Sequence, residues 1–321
     1  MIKETALTNK NAGLKKADFK LLTKIKKDFK LNHSLYIMAL PVIIYFIVFK
    51  YIPIYGLLMA FCDFSPRLGV FGSEFVGVKH FISFFNSASF FEVLGNTFRI
   101  SITTIIFGFP MPVILALLLN ELKNDKFEKL IQNFTYLPLF ISMIVVCGLI
   151  KVFTADDGII GSVFLKASGL SGSMLNYPQF FTSIYVASGI WQEAGWDSII
   201  YLAALTGINQ TLYEAAKIDG ANRWRQTIHI TIPGIMPTIV IMLILKMGGM
   251  LNVGFEKILL IYNDATMTVS DVISTYVYRR GLINLDWSYS TAVGMFNSVV
   301  NLFFLLTASF ISKKINGYGL W

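Results

Sequence analysis

The residues with the most chemical character stand in three places along the chain. One run, Trp191-Gln192-Glu193-Ala194-Gly195-Trp196-Asp197-Ser198, puts two carboxylates and two indoles inside an otherwise apolar stretch. A second, Lys246-Met247-Gly248-Gly249-Met250-Leu251-Asn252 followed by Glu256 and Lys257, does the same with both signs of charge. Charge among apolar residues is costly unless it faces a partner or a wet cavity, and such groups mark solute or ion paths. Adjacent glycines permit a broken helix or a close helix contact. Glu256 and Lys257, at the end of their stretch, also fit a solvated outer interface.

The third place is polar throughout: Glu214-Ala215-Ala216-Lys217-Ile218-Asp219-Gly220-Ala221-Asn222-Arg223-Trp224-Arg225, then Gln226 to Pro233, with Pro237 four residues on. Tyr213 to Ile218 favours a helix, thin where Ala215 and Ala216 fall. Asp219-Gly220 signals a turn in which glycine allows positive φ. Asn222 is positioned to cap a second short helix, which Pro233 is expected to stop. Two short helices meeting at a fixed bend suit docking in a cleft and passing force.

Catalytic patterns are missing. His33, His80 and His229 are scattered, and Cys62 and Cys147 stand alone without metal-ligand spacing or a disulfide framework. The chain has no Gly-x4-Gly-Lys-Ser/Thr phosphate cradle and no Gly-x-Ser-x-Gly elbow. Nucleotide chemistry, if the chain depends on it, belongs to another protein.

The elements that hold these residues follow from hydropathy. Of 321 residues, 55% are hydrophobic and 14% charged, with mean hydropathy +0.63. A soluble domain carries about 25% charged residues. A bilayer core needs about 20 apolar residues as helix. Six stretches meet this: Leu35 to Phe61, Val93 to Leu119, Phe134 to Phe153, Phe180 to Ile208, Ile235 to Ile261 and Tyr289 to Ile311. The spacing therefore predicts an all-α integral membrane protein with six transmembrane helices. The outer segments 62–92 and 262–288 mix aromatic and polar residues (Phe81, Phe84, Phe85, Tyr276, Tyr278), as in short interfacial helices or caps over a pathway.

Net charge is +8, but nine lysines lie between Lys3 and Lys30, ahead of the first apolar stretch. A basic tail beside a span sets topology and meets anionic lipid headgroups; a nucleic-acid partner is not implied. With the N-terminus inside, inner segments hold 17 Lys and Arg against 5 outside, so both termini are expected in the cytoplasm. A cleavable signal peptide does not fit a lysine-rich lead of this length. The expected segments are a basic tail 1–34, a first span with extracellular segment 35–92, a core 93–312 containing the inner loop 209–234, and a tail 313–321.

The inner loop resembles the signature of binding-protein-dependent ABC importer permeases. Glu214, Ala215, Ala216, Asp219, Gly220, Ala221 and Pro233 match that signature position by position. The resemblance runs from about Leu35 to the C-terminus. In its sugar-importer, polysaccharide-type branch it is carried by 112–121 (PVILALLLNE), 199–205 (IIYLAAL), 254–258 (GFEKI), 275–282 (TYVYRRGL) and the terminal Leu320-Trp321. It implies a type-I, MetI-like permease fold whose last five spans form the core. The loop would be a coupling helix docked on an ATPase subunit, with Glu214 facing a basic group and Gly220 making the bend. It implies no cofactor on this chain, with ATP and Mg held by two partner ATPases. Further implied partners are a second homologous permease, an extracellular solute-binding lipoprotein, membrane lipid and a sugar, an oligo- or polysaccharide fragment, all at a bacterial plasma membrane. Candidates along the solute path are Trp191, Glu193, Trp196, Asp197, Tyr201 and Asn252, against each of which stands plain helix packing. Two other functions fit the residues alone. One is an ion-coupled secondary transporter using Glu193, Asp197 or Lys246. The other is a membrane scaffold or sensor without transport.

Overall fold

Long apolar runs become long helices because in lipid every backbone polar group needs an internal partner. The computed structural model describes residue 28 and residues 31–320. The basic tail therefore falls almost wholly outside the described residues, as does Trp321. Among the described residues, four helices are long and apolar enough to cross a membrane: His33–Phe61, Phe90–Asn120, Arg223–Gly248 and Trp287–Lys314. A bent pair, Asp125–Phe140 with Met143–Thr154, makes a fifth crossing if taken together. The 29-residue helix Pro178–Thr206 has the length of a sixth. At 1.5 Å per residue it is about 44 Å long, ample for a bilayer, while Gln192, Glu193 and Asp197 lower its apolarity.

The described residues divide into two compact units, one ending at Leu58 and the other starting at Met59. In the second, a two-residue antiparallel ladder pairs Cys62 with Phe75 and Asp63 with Glu74. The helices Lys79–Phe85 and Ile273–Tyr278 are the short elements expected in the outer segments. Their aromatic residues do not all lie at an interface. Phe84 is buried with Tyr276, Tyr289, Val93 and Val293 in one core cluster, and stacks edge-on with Phe90 at 5.0 Å and Phe296 at 5.5 Å.

Two expectations are corrected. The stretch Phe134 to Phe153 is not one straight span: its axis turns by 102° between Phe140 and Met143. Ile141 and Ser142 are both extended, which interrupts the helical hydrogen-bond ladder. Pro233, in turn, does not stop the helix begun at Arg223. That helix continues to Gly248, passing through a π-turn at Thr227–Thr231 just before the proline. A wider turn of this kind accommodates a residue that has no N–H to donate and whose ring crowds the preceding turn.

Gly195 sets the contact between the Pro178–Thr206 helix and its neighbour. A Cβ built there would lie 2.0 Å from the Thr135 carbonyl oxygen, closer than any side chain allows. The glycine thus brings two backbones into contact, as small residues do between membrane helices.

Candidate functional site

The inner loop is built from local instructions. Asn209 caps the helix Gln210–Ile218, its Oδ1 accepting from the Thr211 N–H at 3.0 Å. The helix ends in a left-handed turn. Ala221 N donates to Ala216 O at 2.8 Å and Gly220 N to Lys217 O at 3.1 Å, with Gly220 at φ +76°. This reciprocal pair closes the free carbonyls, and a side chain at Gly220 would be strained. Asn222 then caps the next helix by accepting from Arg225 N at 2.9 Å, as its sequence position predicts. Gln226 Nε2 donates to Ala221 O at 2.7 Å, and the Tyr213 and Thr231 hydroxyls lie 3.0 Å apart across the bend. Arg223 Nη1 reaches Glu121 Oε2 at 2.9 Å, joining the loop to the C-terminal end of the second span.

Glu214, Ala215, Asp219, Gly220 and Pro233 are exposed, with Ala216 and Ala221 half-buried. Ile218 is 87% exposed and Trp224 71%. The bend thus presents carboxylates, small residues and two large apolar side chains on its surface. His229 contacts only the Arg225 carbonyl, at 3.0 Å, and is a surface residue.

The second site is a cavity of about 700 Å³, within the range of small-molecule sites. One stripe of the Pro178–Thr206 helix lines it: Tyr185, Gly189, Glu193, Asp197 and Tyr201. These residues recur every four positions, forming an inclined row along the helix. Trp191 and Trp196 lie on other faces and do not line it. Both are partly exposed, and Trp196 packs edge-on to Phe140 at 5.7 Å. Tyr201 is buried beside Ala116, Leu205 and Ile235 as well as reaching the cavity.

The opposite wall is the broken end of the fifth span. Glycines at 248 and 249 end the helix, and a new one begins only at Phe255. Side chains from three other spans satisfy the freed backbone. Leu251 N donates to Asn301 Oδ1 at 2.9 Å, Gly254 N donates to the Tyr185 hydroxyl at 3.0 Å, and Ser101 Oγ donates to Met250 O. The Asn252 carboxamide oxygen accepts from Asn297 at 2.9 Å and Asn301 at 3.1 Å while the residue lines the cavity. Non-helical backbone at membrane depth is tolerated only where protein or a wet cavity surrounds it, and both are present. Glu193, Asp197, Tyr201 and Asn252 are thus brought together; the two tryptophans are not.

Lys257 is the residue sequence reasoning missed. It is not solvated at an interface but only 4% exposed, and its Nζ donates to the Tyr185 carbonyl at 2.9 Å on the cavity wall. Gly254, three residues before it, was the signal available: it permits the short helix to start close against Tyr185, where a Cβ would sit 2.8 Å from the hydroxyl.

Comparison with known proteins agrees with this geometry. Residues 108–317 match the family described as "Binding-protein-dependent transport system inner membrane component". The chain is 42% identical over 293 residues to Protein LplB of Bacillus subtilis (strain 168), covering 91% of this chain and 92% of that one. It is 44% identical over 288 residues to the polygalacturonan/rhamnogalacturonan transport system permease protein YteP of the same organism, covering 89% and 90%. A crystal structure of a bacterial ABC transporter involved in the import of the acidic polysaccharide alginate contains a chain 41% identical to it, with TM-score 0.83 and coverage of 91% and 99%. These matches take in both the loop and the cavity, and the chain belongs to the binding-protein-dependent inner-membrane permeases: it is a multi-pass translocation subunit of an ABC importer, without an ATPase site of its own.

Proposed function

We propose that this permease translocates a saccharide, an oligo- or polysaccharide fragment, through the cavity beside the broken fifth span. What carries the substrate class is that relatives at 41% to 44% identity over about nine-tenths of the chain include permeases named for polygalacturonan/rhamnogalacturonan and alginate import. The cavity supports it: polar groups of Glu193, Asp197, Tyr201 and Asn252 converge on a largely apolar wall, which suits an amphipathic solute. Trp196, edge-on to Phe140, acts in helix packing.

In this reading Glu214, Ala215, Ala216, Asp219, Gly220, Ala221 and Pro233 form the face that meets a partner ATPase. Two such ATPases hold ATP and Mg, a second permease completes the pathway, and an extracellular solute-binding lipoprotein delivers the sugar. A related importer has been crystallised with an alginate pentasaccharide-bound periplasmic protein. The chain sits in the bacterial plasma membrane with both termini cytoplasmic, in keeping with 17 basic residues inside against 5 outside. ATP binding closes the ATPases, the bent loops move with them, and the permease pair alternates between outward- and inward-open states. Segments 1–34, 35–92, 93–312 and 313–321 then act as tail, accessory span, transport core and tail.

Uptake into proteoliposomes holding the whole importer tests this. Oligosaccharide accumulation is expected to need ATP and to persist when proton and sodium gradients are collapsed. Accumulation driven by an ion gradient without ATP would contradict it, and oligosaccharide-independent signalling without uptake would favour a sensor.

A further inference from the structure

The carboxamide of Asn252 faces the cavity in one fixed sense, and the order begins at a backbone group. The helix of the fifth span ends at Gly248, and Leu251 beyond it is only 1% exposed. Its N–H donates to Asn301 Oδ1 at 2.9 Å. A backbone N–H can only donate, so this bond fixes which end of the Asn301 carboxamide is oxygen. The other end, Nδ2, must then donate, and it does so to Asn252 Oδ1 at 3.1 Å. Asn297 stands one turn earlier on the same last span. Its Nδ2 donates to the same oxygen at 2.9 Å.

With two donors on its oxygen, Asn252 has its Nδ2 left for other partners, and that nitrogen bonds nothing among the described residues. Asn252 is exposed and lines the cavity, whereas Asn297 and Asn301 do not line it. A carbonyl that accepts twice draws charge from its own amide, which makes the N–H groups better donors. Asn297 brings a further sign. Its Oδ1 is buried without a partner among the described residues. A carboxamide with its acceptor unmet is a poor choice for packing alone; its side chain contributes the second bond to Asn252. The carboxylates of Glu193, Asp197 and Glu256 on the same cavity only accept when ionised. Asn252 supplies the opposite sense from the broken wall.

Resting on the saccharide reading above, we infer that Asn252 is a one-way donor to the solute, and that Asn297 and Asn301 are positioning residues that fix this polarity without touching the solute. The group it reads is a lone pair on a sugar hydroxyl, ring oxygen or glycosidic oxygen. An unrestrained carboxamide presents either end, and a hydroxyl, donor and acceptor alike, accepts both. The relay from the Leu251 N–H removes that freedom. It also ties recognition to the break. A shift of the last span against residues 249–254 undoes the Leu251 bond and the Asn252 polarity together. Transport needs binding that admits the solute and then releases it, and this coupling gives a route to the release.

The test uses the assembled importer in nanodiscs without its binding protein. It is titrated with galacturonate and alginate trisaccharides, each as the free acid and as the neutral methyl ester, and its unfolding temperature is measured alongside. Wild type is expected to bind at least one probe. Asn252→Ala should weaken binding about tenfold, as loss of one hydrogen bond does. Asn252→Asp keeps the oxygen that Asn297 and Asn301 hold but offers the solute an acceptor. It should bind the ester, where charge repulsion plays no part, no better than Asn252→Ala. Asn297→Ala should weaken binding about threefold, a fraction of one hydrogen bond. Its unfolding temperature should hold, since the change removes an orphan along with a donor. Added to Asn252→Ala it should weaken binding no further, because it acts through Asn252. Asn301→Ala should bind like Asn297→Ala but unfold earlier, through the orphaned Leu251 N–H; if it fails to assemble, Asn297→Ala decides. Wild-type affinity in Asn297→Ala, or its full effect persisting beside Asn252→Ala, would overturn the positioning role. Wild-type affinity of Asn252→Asp for the ester would overturn the donor polarity. Probes that wild type accumulates in proteoliposomes but does not bind in nanodiscs would overturn the inference and leave the saccharide importer standing. Probes neither bound nor accumulated would overturn the saccharide reading as well.

Discussion

The inner loop and the broken fifth span are both departures from regular helix, yet they are stabilised in opposite ways. Apart from the Arg223–Glu121 ion pair, the loop from Asn209 to Thr231 satisfies itself: its caps, its left-handed glycine and its Tyr213–Thr231 contact all join residues within 22 positions. The break at 249–254 depends on distant chain. Asn301, Tyr185 and Ser101 reach it across sequence separations of 50, 69 and 149 residues. A self-contained bend keeps its shape while moving as a body, which suits a joint between subunits. A break tied to three spans can change only if those spans shift, which suits the wall of an alternating pathway.

If that contrast is right, damage to the break spreads and damage to the loop stays local. The largest effect is expected where two backbones touch. Gly195→Leu cannot keep the contact with Thr135 and should cost about 1–3 kcal/mol or more through overpacking, read as loss of folded subunit on detergent extraction. Next is Asn301→Leu, which orphans the Leu251 N–H and removes one of the two donors to Asn252. Removing the partner of a buried donor costs about 1–3 kcal/mol, so thermal unfolding in detergent should start earlier and oligosaccharide uptake should fall together with it. In the loop, Asn222→Ala removes a cap worth about 1 kcal/mol but should leave thermal unfolding of the spans unchanged. Altered exchange protection in the spans of that variant would erase the contrast.

The smallest effect belongs to the outer hairpin. The hydrogen bond from Lys79 to Asp63, at 2.6 Å, holds the Asp63 carboxyl below its ordinary range, and the same contact raises Lys79. A depressed carboxyl stabilises above its unfolded value, about 3.9, and that contribution is lost as pH falls through the lower folded value. The raised lysine contributes below about 10.4 and loses it as pH climbs through the higher folded value. Hairpin amide protection should therefore be flat between those limits and fade at the extremes. Both groups are solvated, so Lys79→Met should change uptake little.

Local signals were legible in the sequence and distant ones were not. Asp219-Gly220 announced a turn and Asn222 a cap because each acts on neighbours three residues away or fewer. Apolar length announced the spans. The 102° turn after Phe140 was hidden because nothing in Ile141-Ser142 forbids helix. Pro233 misled in the other direction, since a π-turn upstream makes room for it. Glu193, Asp197, Tyr201 and Asn252 were legible as polar residues in apolar stretches, whereas nothing local separated them from Trp191 and Trp196. The burial of Lys257 was not, because it depends on Tyr185, which lies 72 residues earlier.

The bent loop is the proposed joint to an external ATPase. The direct measurement is oligosaccharide uptake and ATP hydrolysis, side by side, in proteoliposomes bearing the importer with Glu214→Ala and Gly220→Val combined. The valine cannot adopt φ +76° without strain, and the alanine removes the exposed carboxylate. The subunit should remain in the membrane with its cavity intact, while uptake per ATP hydrolysed falls toward background. Wild-type ATP-dependent uptake by this double variant would contradict the account.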